Sequence, residues 1–297
     1  MTGNPEGSSA PPLPDLGGRV VLVTGAGGFL GRAVVARLER LGARVEALGR
    51  GDADLSDREA VRRRLEGLAP DGVVHLAADT DRTRDAGRLG DLARINTWGT
   101  LHLLQALPAG TPFVHTGTLD EYGAGPAPFR EDQGRAPNSP YALSKMAAGY
   151  LCTSHGGTHV PLSLLYGPGQ GSGFLVPQLL EALRTGAPLP MSEGAQERDF
   201  LWVHEAAEGL VRLLAAPEAA GRVVNLCTGV GTGLRDLVAL LGEAAGRPVP
   251  VRFGALPYRE GEVFRSVGNP GLLERITGWR PRIFLPEGLR RLLRDGI

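Results

Sequence analysis

The sequence predicts an α/β fold, a doubly wound parallel sheet with a smaller lobe built mainly from its later part. Three observations predict it. Short apolar runs alternate with segments of helical period through the first half of the chain. A glycine-rich turn follows the first of those runs directly. After Tyr166 the alternation gives way to small helices and loops.

In order, Arg19 to Thr24 is a short apolar run that reads as a buried strand. It breaks into Gly25-Ala-Gly-Gly28-Phe-Leu-Gly31 and then into Arg32 to Leu41, whose Val34, Val35, Leu38 and Leu41 fit one face of a helix. Arg44 to Leu48 is a second strand. Ser56 to Leu68 is a helix, with Ser56 as N-cap and Glu59 completing a capping box. Gly72 to Leu76 is a third strand, Leu89 to Ala106 a long helix, and Thr111 to His115 a fourth strand running into Thr116-Gly-Thr118. Tyr141 to Ser154 is a helix and Val160 to Leu165 a strand. Beyond it come a helix over Phe174 to Thr185, a strand over Phe200 to Val203, a helix over Glu205 to Ala215 and a strand over Arg222 to Leu226. A helix over Leu234 to Ala245, a strand over Val249 to Phe253 and a helix over Pro286 to Arg294 close the chain. The division that follows is a lead-in over 1–17, a Rossmann domain over 18–165 plus about 199–228, and a second lobe from about 166–198 plus 229–297.

The bulk numbers exclude several classes. With 42% apolar and 22% charged residues, 297 residues suit one large domain, or a nucleotide-binding domain with a smaller lobe. No apolar run approaches the roughly 20 residues that span a bilayer, so no membrane partner is expected. Residues 1–17 lack the charged and apolar regions of a secretory signal and read as a disordered, Pro/Gly/Ser-rich lead-in. Two cysteines, Cys152 and Cys227, form no metal or redox motif, which leads to the expectation of a cytoplasmic protein without a metal. Zero net charge without a basic block argues against a nucleic-acid partner. Of the 32 basic side chains 31 are Arg, and the single lysine is Lys145. An Arg replaces a Lys poorly where a compact ammonium must sit beside a reacting group.

Four motifs carry chemistry. Glycines at 25, 28 and 31, between a strand and a helix, let the backbone approach a pyrophosphate held at the helix N-terminus. The acid that would grip a ribose 2′-hydroxyl belongs at the end of the second strand. That place holds Gly49 with Arg50 beside it, which points to NADP, unless Arg50 is a solvated loop residue. Tyr141 and Lys145 share one helix face, and an ammonium favours the phenolate and lowers a tyrosine's pKa, so Tyr141 can donate a proton to a carbonyl oxygen. Thr118, at the ligand-binding end of the fourth strand, either holds the substrate oxygen or merely turns the chain.

Together these residues resemble the extended short-chain dehydrogenase/reductase family, which is the NAD-dependent epimerase/dehydratase family of nucleotide-sugar enzymes. The resemblance covers about Arg19 to Arg291. It rests on Thr24 to Gly31, Val74-His-Leu-Ala-Ala78, Asn96-Thr-Trp-Gly-Thr100, Thr118 to Gly123, Ser139 to Lys145, Tyr166-Gly-Pro-Gly-Gln170, Arg198-Asp-Phe200 and Gly278-Trp279. It implies a catalytic set of Thr118, Tyr141 and Lys145. It implies cofactor contacts from Gly25, Gly28, Phe29, Leu30, Gly31, Asp54, Leu55, Leu76, Ala77, Ala78 and Asn96, with Arg50, Tyr141 and Lys145. It implies substrate contacts from Thr80, Thr118, Asp120, Glu121, Tyr166, Gln178, Arg198 and Arg259, the two arginines clamping a nucleoside diphosphate or else sitting in surface salt bridges. A homodimer through the helices containing Leu101 and Tyr141 is also implied.

Within the family, the 4,6-dehydratases look like Thr-Asp-Glu where this chain has Thr118-Leu119-Asp120. Asp120-Glu121-Tyr122-Gly123 is more similar to the reductases of GDP-4-keto-6-deoxymannose type, and the dTDP-rhamnose type is equally admissible. Asp120 and Glu121 either bond sugar hydroxyls or cap the loop. Pro161 and Leu164 stand where the family often has an Arg and an Asn. The expectation is an NADPH-dependent 4-ketoreductase of a nucleoside-diphosphate-4-keto-6-deoxyhexose. A 4-epimerase or dehydratase of the same fold and a non-catalytic NAD(P)-sensing binder are the alternatives.

Overall fold

The computed structural model describes residues 11–49, 51–81 and 84–294. Its central sheet has five parallel strands: β1 (Val20–Thr24), β2 (Arg44–Leu48), β3 (Gly72–His75), β4 (Phe113–Thr118) and β5 (Thr158–Leu162), in the order β2-β1-β3-β4-β5. The segment predicted as a strand at 222–226 extends the β5 edge only through the isolated parallel bridges His159–Val223 and Leu162–Leu226. Between the strands run α1 (Phe29–Arg40), α2 (Arg58–Leu65), α3 (Leu89–Leu92), α4 (Gly99–Ala106) and α5 (Pro140–Ser154). The predicted long helix over 89–106 is continuous but contains a π-helical stretch, Ala93–Trp98, between α3 and α4. The N-cap of α2 is Asp57, not Ser56. Asp54 already takes the Ser56 N–H at 2.8 Å, so the chain turns one residue later and the Asp57 carboxylate accepts from Glu59 N and Ala60 N.

The later part contains β6 (Leu164–Tyr166), α6 (Leu175–Thr185), β7 (Leu189–Pro190), β8 (Glu197–Trp202), α7 (Val203–Leu214), β9 (Gly231–Gly233), α8 (Leu234–Ala245), β10 (Val251–Arg252), β11 (Arg265–Ser266), α9 (Gly271–Thr277) and α10 (Leu285–Arg294). The single strand expected over 160–165 is thus two, β5 and β6, separated at Ser163, and β6 joins β8 in a second sheet. Helix α9 had no expectation attached to it.

Two apolar clusters hold most of the core. The larger gathers Val21, Val23, Val34 and Leu38 with Leu201, Ala206, Leu210 and Trp279, so α7 packs against α1 on one face of the main sheet. The other gathers Leu179, Leu183, Phe200, Trp202, Leu237, Leu241 and Leu289 around β8. Leu16 is buried in the first cluster, and Arg212 donates to the carbonyls of Pro11 and Pro12. The lead-in expected over 1–17 is therefore corrected at its second part: residues 11–17 belong to the fold, tied down by one apolar anchor and one arginine. No helix among the described residues is long and apolar enough to cross a membrane.

Candidate active site

A cleft of about 1350 Å³ lies at the C-terminal ends of β1, β3 and β4, between the main sheet and the second cluster. Parallel strands all point their carboxyl ends there, which is where such sheets bind ligands.

The inner end is a backbone cradle. Gly25 turns at φ +68°, and a Cβ on it would lie 2.8 Å from Ala77 N. A Cβ on Gly31 would meet Gly25 O at 2.1 Å, so α1 approaches the turn as closely as backbone allows. Gly28 is the N-cap of α1 and brings no side chain to it, and the first turn carries no acid. The opening N–H groups therefore face the cleft with the positive end of the helix dipole, a fit for a pyrophosphate. Gly25, Gly28, Phe29, Leu30, Gly31, Asp54, Leu55, Leu76, Ala77 and Ala78 all line this end. A hydrogen bond from its partner Ser56 holds the Asp54 carboxyl below its usual range. Arg50 lies outside the described residues. Gly49 lines the cleft, while Asp52 turns back to accept the Gly49 N–H at 2.7 Å.

Asn96 corrects an expectation. It is buried at 1% exposure and stands behind the wall of the cleft, because the π-helical turn carries it inward. Its amide accepts from Asp79 N at 2.8 Å and donates to Asp79 O and Ser144 Oγ at 3.0 Å each. It thus fixes the strand-end loop to α5.

The wall beyond the cradle is formed by β4 and α5. Thr118 is the last residue of β4 and caps the 3-10 turn Leu119–Tyr122, its hydroxyl accepting Asp120 N at 3.2 Å. Ser139 caps α5 by accepting Ala142 N at 3.1 Å, and Pro140 starts the helix. That start sets Tyr141 and Lys145 in the cleft wall beside Thr118. Lys145 is 2% exposed, and burial pulls its pKa down to about 8. Its Nζ lies 3.1 Å from His115 Nε2.

The two acids after Thr118 part ways. Asp120 faces the cleft. Glu121, expected to touch substrate, does not: it is fully buried, accepting Thr118 N at 3.0 Å, Arg135 at 3.0 Å and His159 Nε2 at 2.9 Å. Of the two roles left open for it, this is the capping one. Burial alone would raise its pKa, but His159, the Thr118 N–H and Arg135 outweigh that and hold the carboxyl low. Leu119 turns into an apolar cluster with Tyr122, Phe129 and Cys227.

The outer end belongs to the second cluster's side. Thr80, Gln178, Arg198 and Arg259 line it. Arg198 bonds the Glu197 carbonyl and pairs with Glu262, which also lines the cleft, and burial lowers its pKa from the ordinary arginine value. Tyr166 is a second correction. It is fully buried, edge-on to Phe200 and Trp202 and against Gly288, because β6 belongs to the second sheet and turns its ring into that core. Sequence reasoning missed Ser139, Gln196 and Tyr258 in the cleft wall. Ser139 was legible as an N-cap, and Gln196 stands two residues before Arg198, on the same side of an extended chain.

The model of the "NAD dependent epimerase/dehydratase family" matches residues 21–227. The chain belongs to that family. Among curated members, GDP-6-deoxy-D-mannose reductase of Pseudomonas aeruginosa is 33% identical over 76% of this chain and 80% of its own length. UDP-glucose 4-epimerase of Mycolicibacterium smegmatis is 31% identical over 91% and 96%, and dTDP-glucose 4,6-dehydratase of Streptomyces griseus 30% over 91% of each. Among solved structures of the epimerase/dehydratase fold, RMD from Pseudomonas aeruginosa complexed with NADPH superposes with a TM-score of 0.83 at 29% identity, covering 93% of this chain and 98% of that one.

Proposed function

We propose that this chain is an NADPH-dependent 4-ketoreductase acting on a nucleoside-diphosphate-4-keto-6-deoxyhexose. The observation that carries the reading is the fate of the three side chains after Thr118. Leu119 presents only an apolar side chain, and Glu121 is buried in its bonds to Arg135 and His159, so Asp120 is the one acid of the three that faces the cleft. Loss of water from a sugar needs an acid and a base at neighbouring carbons, whereas reduction of a ketone needs one proton donor. The similarity to the Pseudomonas reductase supports the same reading. The extensive match to an epimerase supports a second one, a 4-epimerase using the same Tyr141 and Lys145.

In this reading the bound nicotinamide supplies the hydride. The Gly25–Gly31 turn and α1 would hold its pyrophosphate, with Asp54 and Leu55 beside the adenine. The likeness to a reductase solved with NADPH favours that cofactor. Thr118 orients the ketone oxygen, and Tyr141 gives it a proton, with Lys145 keeping the phenol acidic enough to do so. Arg198 and Arg259 would hold the diphosphate, with Thr80, Gln178 and Asp120 around the sugar. On this division, 18–165 with 199–228 is the cofactor domain, and 166–198 with 229–297 the sugar-nucleotide lobe. Trp98, Leu143 and Tyr150 are exposed on the helices named for the dimer, Tyr150 at 71%, and support a homodimer through them. A cytoplasmic location goes with a reducing environment for the two buried free thiols.

The test is to incubate the protein with NADPH and a panel of 4-keto sugar nucleotides while following nicotinamide absorbance. Consumption of NADPH by a 4-keto-6-deoxyhexose is expected. If no ketone consumes it, and an unreduced sugar nucleotide is epimerised or dehydrated instead, the reductase reading is wrong.

A further inference from the structure

Three histidines lie in one row across adjacent strands. His75 on β3 pairs in register with His115 on β4, and His115 with His159 on β5. All three are fully buried, and the rings follow one another at 5.4 and 5.0 Å. His75 is occupied by Thr24 Oγ1 at 2.6 Å and Thr100 Oγ1 at 2.9 Å. The other two form a chain behind the catalytic helix. Lys145 Nζ meets His115 Nε2 at 3.1 Å, His115 Nδ1 meets His159 Nδ1 at 3.0 Å, and His159 Nε2 meets Glu121 Oε2 at 2.9 Å.

Space for this chain is provided by glycines. A Cβ on Gly117 would lie 2.3 Å from Glu121 Oε1 and 2.4 Å from the His159 ring, and a Cβ on Gly149, one turn beyond Lys145, 2.5 Å from the same ring. Its direction is fixed from the Glu121 end. A carboxylate only accepts, so His159 donates from Nε2 and accepts at Nδ1. His115 then donates from Nδ1 and presents the Nε2 lone pair to Lys145, which suits an ammonium. A neutral carboxyl could donate instead and reverse both rings. His115 would then aim an N–H at the ammonium, donor against donor, and drive Lys145 towards its neutral form.

We propose that Glu121, acting through His159 and His115, is the remote counter-charge that keeps Lys145 protonated, so that the three are positioning residues behind the Tyr141/Lys145 pair. The groups facing Lys145 are His75 and His115 from the sheet and Tyr141 and Cys152 from its own helix. Those facing Glu121 are His159 on β5 and Arg135 from the loop before α5. The catalytic consequence rests on the ketoreductase reading, but the ionic coupling does not.

Because Lys145 is the sole lysine, ligand-free full-length protein carrying lysine with ¹³C at Cε gives one lysine resonance, whose titration is that of Lys145. Imidazole ¹⁵N shifts report the histidine tautomers. In the wild type at neutral pH the expectation is a proton on His115 Nδ1 and on His159 Nε2. Glu121→Gln keeps the shape and an acceptor but removes the charge. It should raise the Lys145 acid dissociation constant by about tenfold or more, the range for a lost buried counter-charge. Gly149→Ala changes no charge, displaces the His159 ring and should move Lys145 in the same direction. The opposite wild-type tautomers, or folded variants in which Lys145 titrates as before, overturn the proposal. If Glu121→Gln does not fold, the wild-type tautomers and Gly149→Ala decide. Where a ketone substrate is found, the Glu121→Gln pH profile of kcat should shift with the lysine titration. If no ketone consumes NADPH, the functional reading fails while the titration still tests the coupling.

Discussion

Replacing Lys145 with Met should stabilise the ligand-free protein at pH 7 while removing its activity. The lysine titrates at about 8 in place of 10.5 because its surroundings strip water from the ammonium. At about 1.4 kcal/mol per pKa unit, holding that charge costs the fold roughly 3 kcal/mol. Methionine fills a similar volume without charge. It deprives His115 of a partner, which costs about 1 kcal/mol, so the net gain is roughly 2 kcal/mol. The sign of the pH dependence follows. Below pH 8 the lysine is charged both folded and unfolded, and the cost is present in full. Between 8 and 10.5 the folded protein has shed the proton and the unfolded chain has not, so the wild type gains stability as pH rises and the advantage of the variant shrinks. The buried Cys152 thiol, pushed up to about 12 by burial, acts oppositely above pH 9, but in both proteins. Urea denaturation of the pair at pH 7 and pH 9.5 measures the difference. A variant less stable than wild type at pH 7, or a difference that does not change with pH, refutes the reasoning.

Tyr141→Phe should lower turnover about 10²-fold or more, the range for a lost proton donor, with cofactor affinity little changed. Comparison of kcat with NADPH titrations by calorimetry checks both. Gly31→Ala, whose methyl would enter the Gly25 carbonyl, should cost about 2 kcal/mol or more and abolish cofactor binding, whereas Gly27→Ala meets nothing within 4 Å and should fold normally; thermal melts with and without NADPH separate them. Glu262→Gln frees Arg198 from an ion pair inside the cleft and should tighten binding of a nucleoside diphosphate several-fold, measured by calorimetry at fixed salt.

What the sequence disclosed is what local spacing dictates. Gly25, Gly28 and Gly31 are legible because backbone crowding admits nothing larger at a strand-to-helix turn, and Tyr141 and Lys145 because four residues on a helix make one face. Glu121 was misplaced because a 3-10 turn rotates each residue by about 120°, which sends Asp120 into the cleft and Glu121 under it. Asn96 was misplaced because a π-helical turn shifts the helix phase, and Tyr166 because the break at Ser163 moves it to another sheet. The histidine row depends on the register of three parallel strands. Residues 75, 115 and 159 are some 40 apart in sequence, and no local pattern ties them. Leu16 was excluded by the composition around it, although one anchor suffices to dock a short segment.

The packing of α1 on α7 sets an order of events for a chain made from its N-terminus. Helix α1 is complete at Arg40, but its partner begins at Val203. At about 5–20 residues per second, the ribosome adds that partner some 8 to 33 seconds later. Until then the α1 surface that meets Ala206 and Leu210 is open to water, as is the seat of Leu16, which the same late helix helps to form. The nucleotide cradle therefore exists as a turn long before it has a wall behind it.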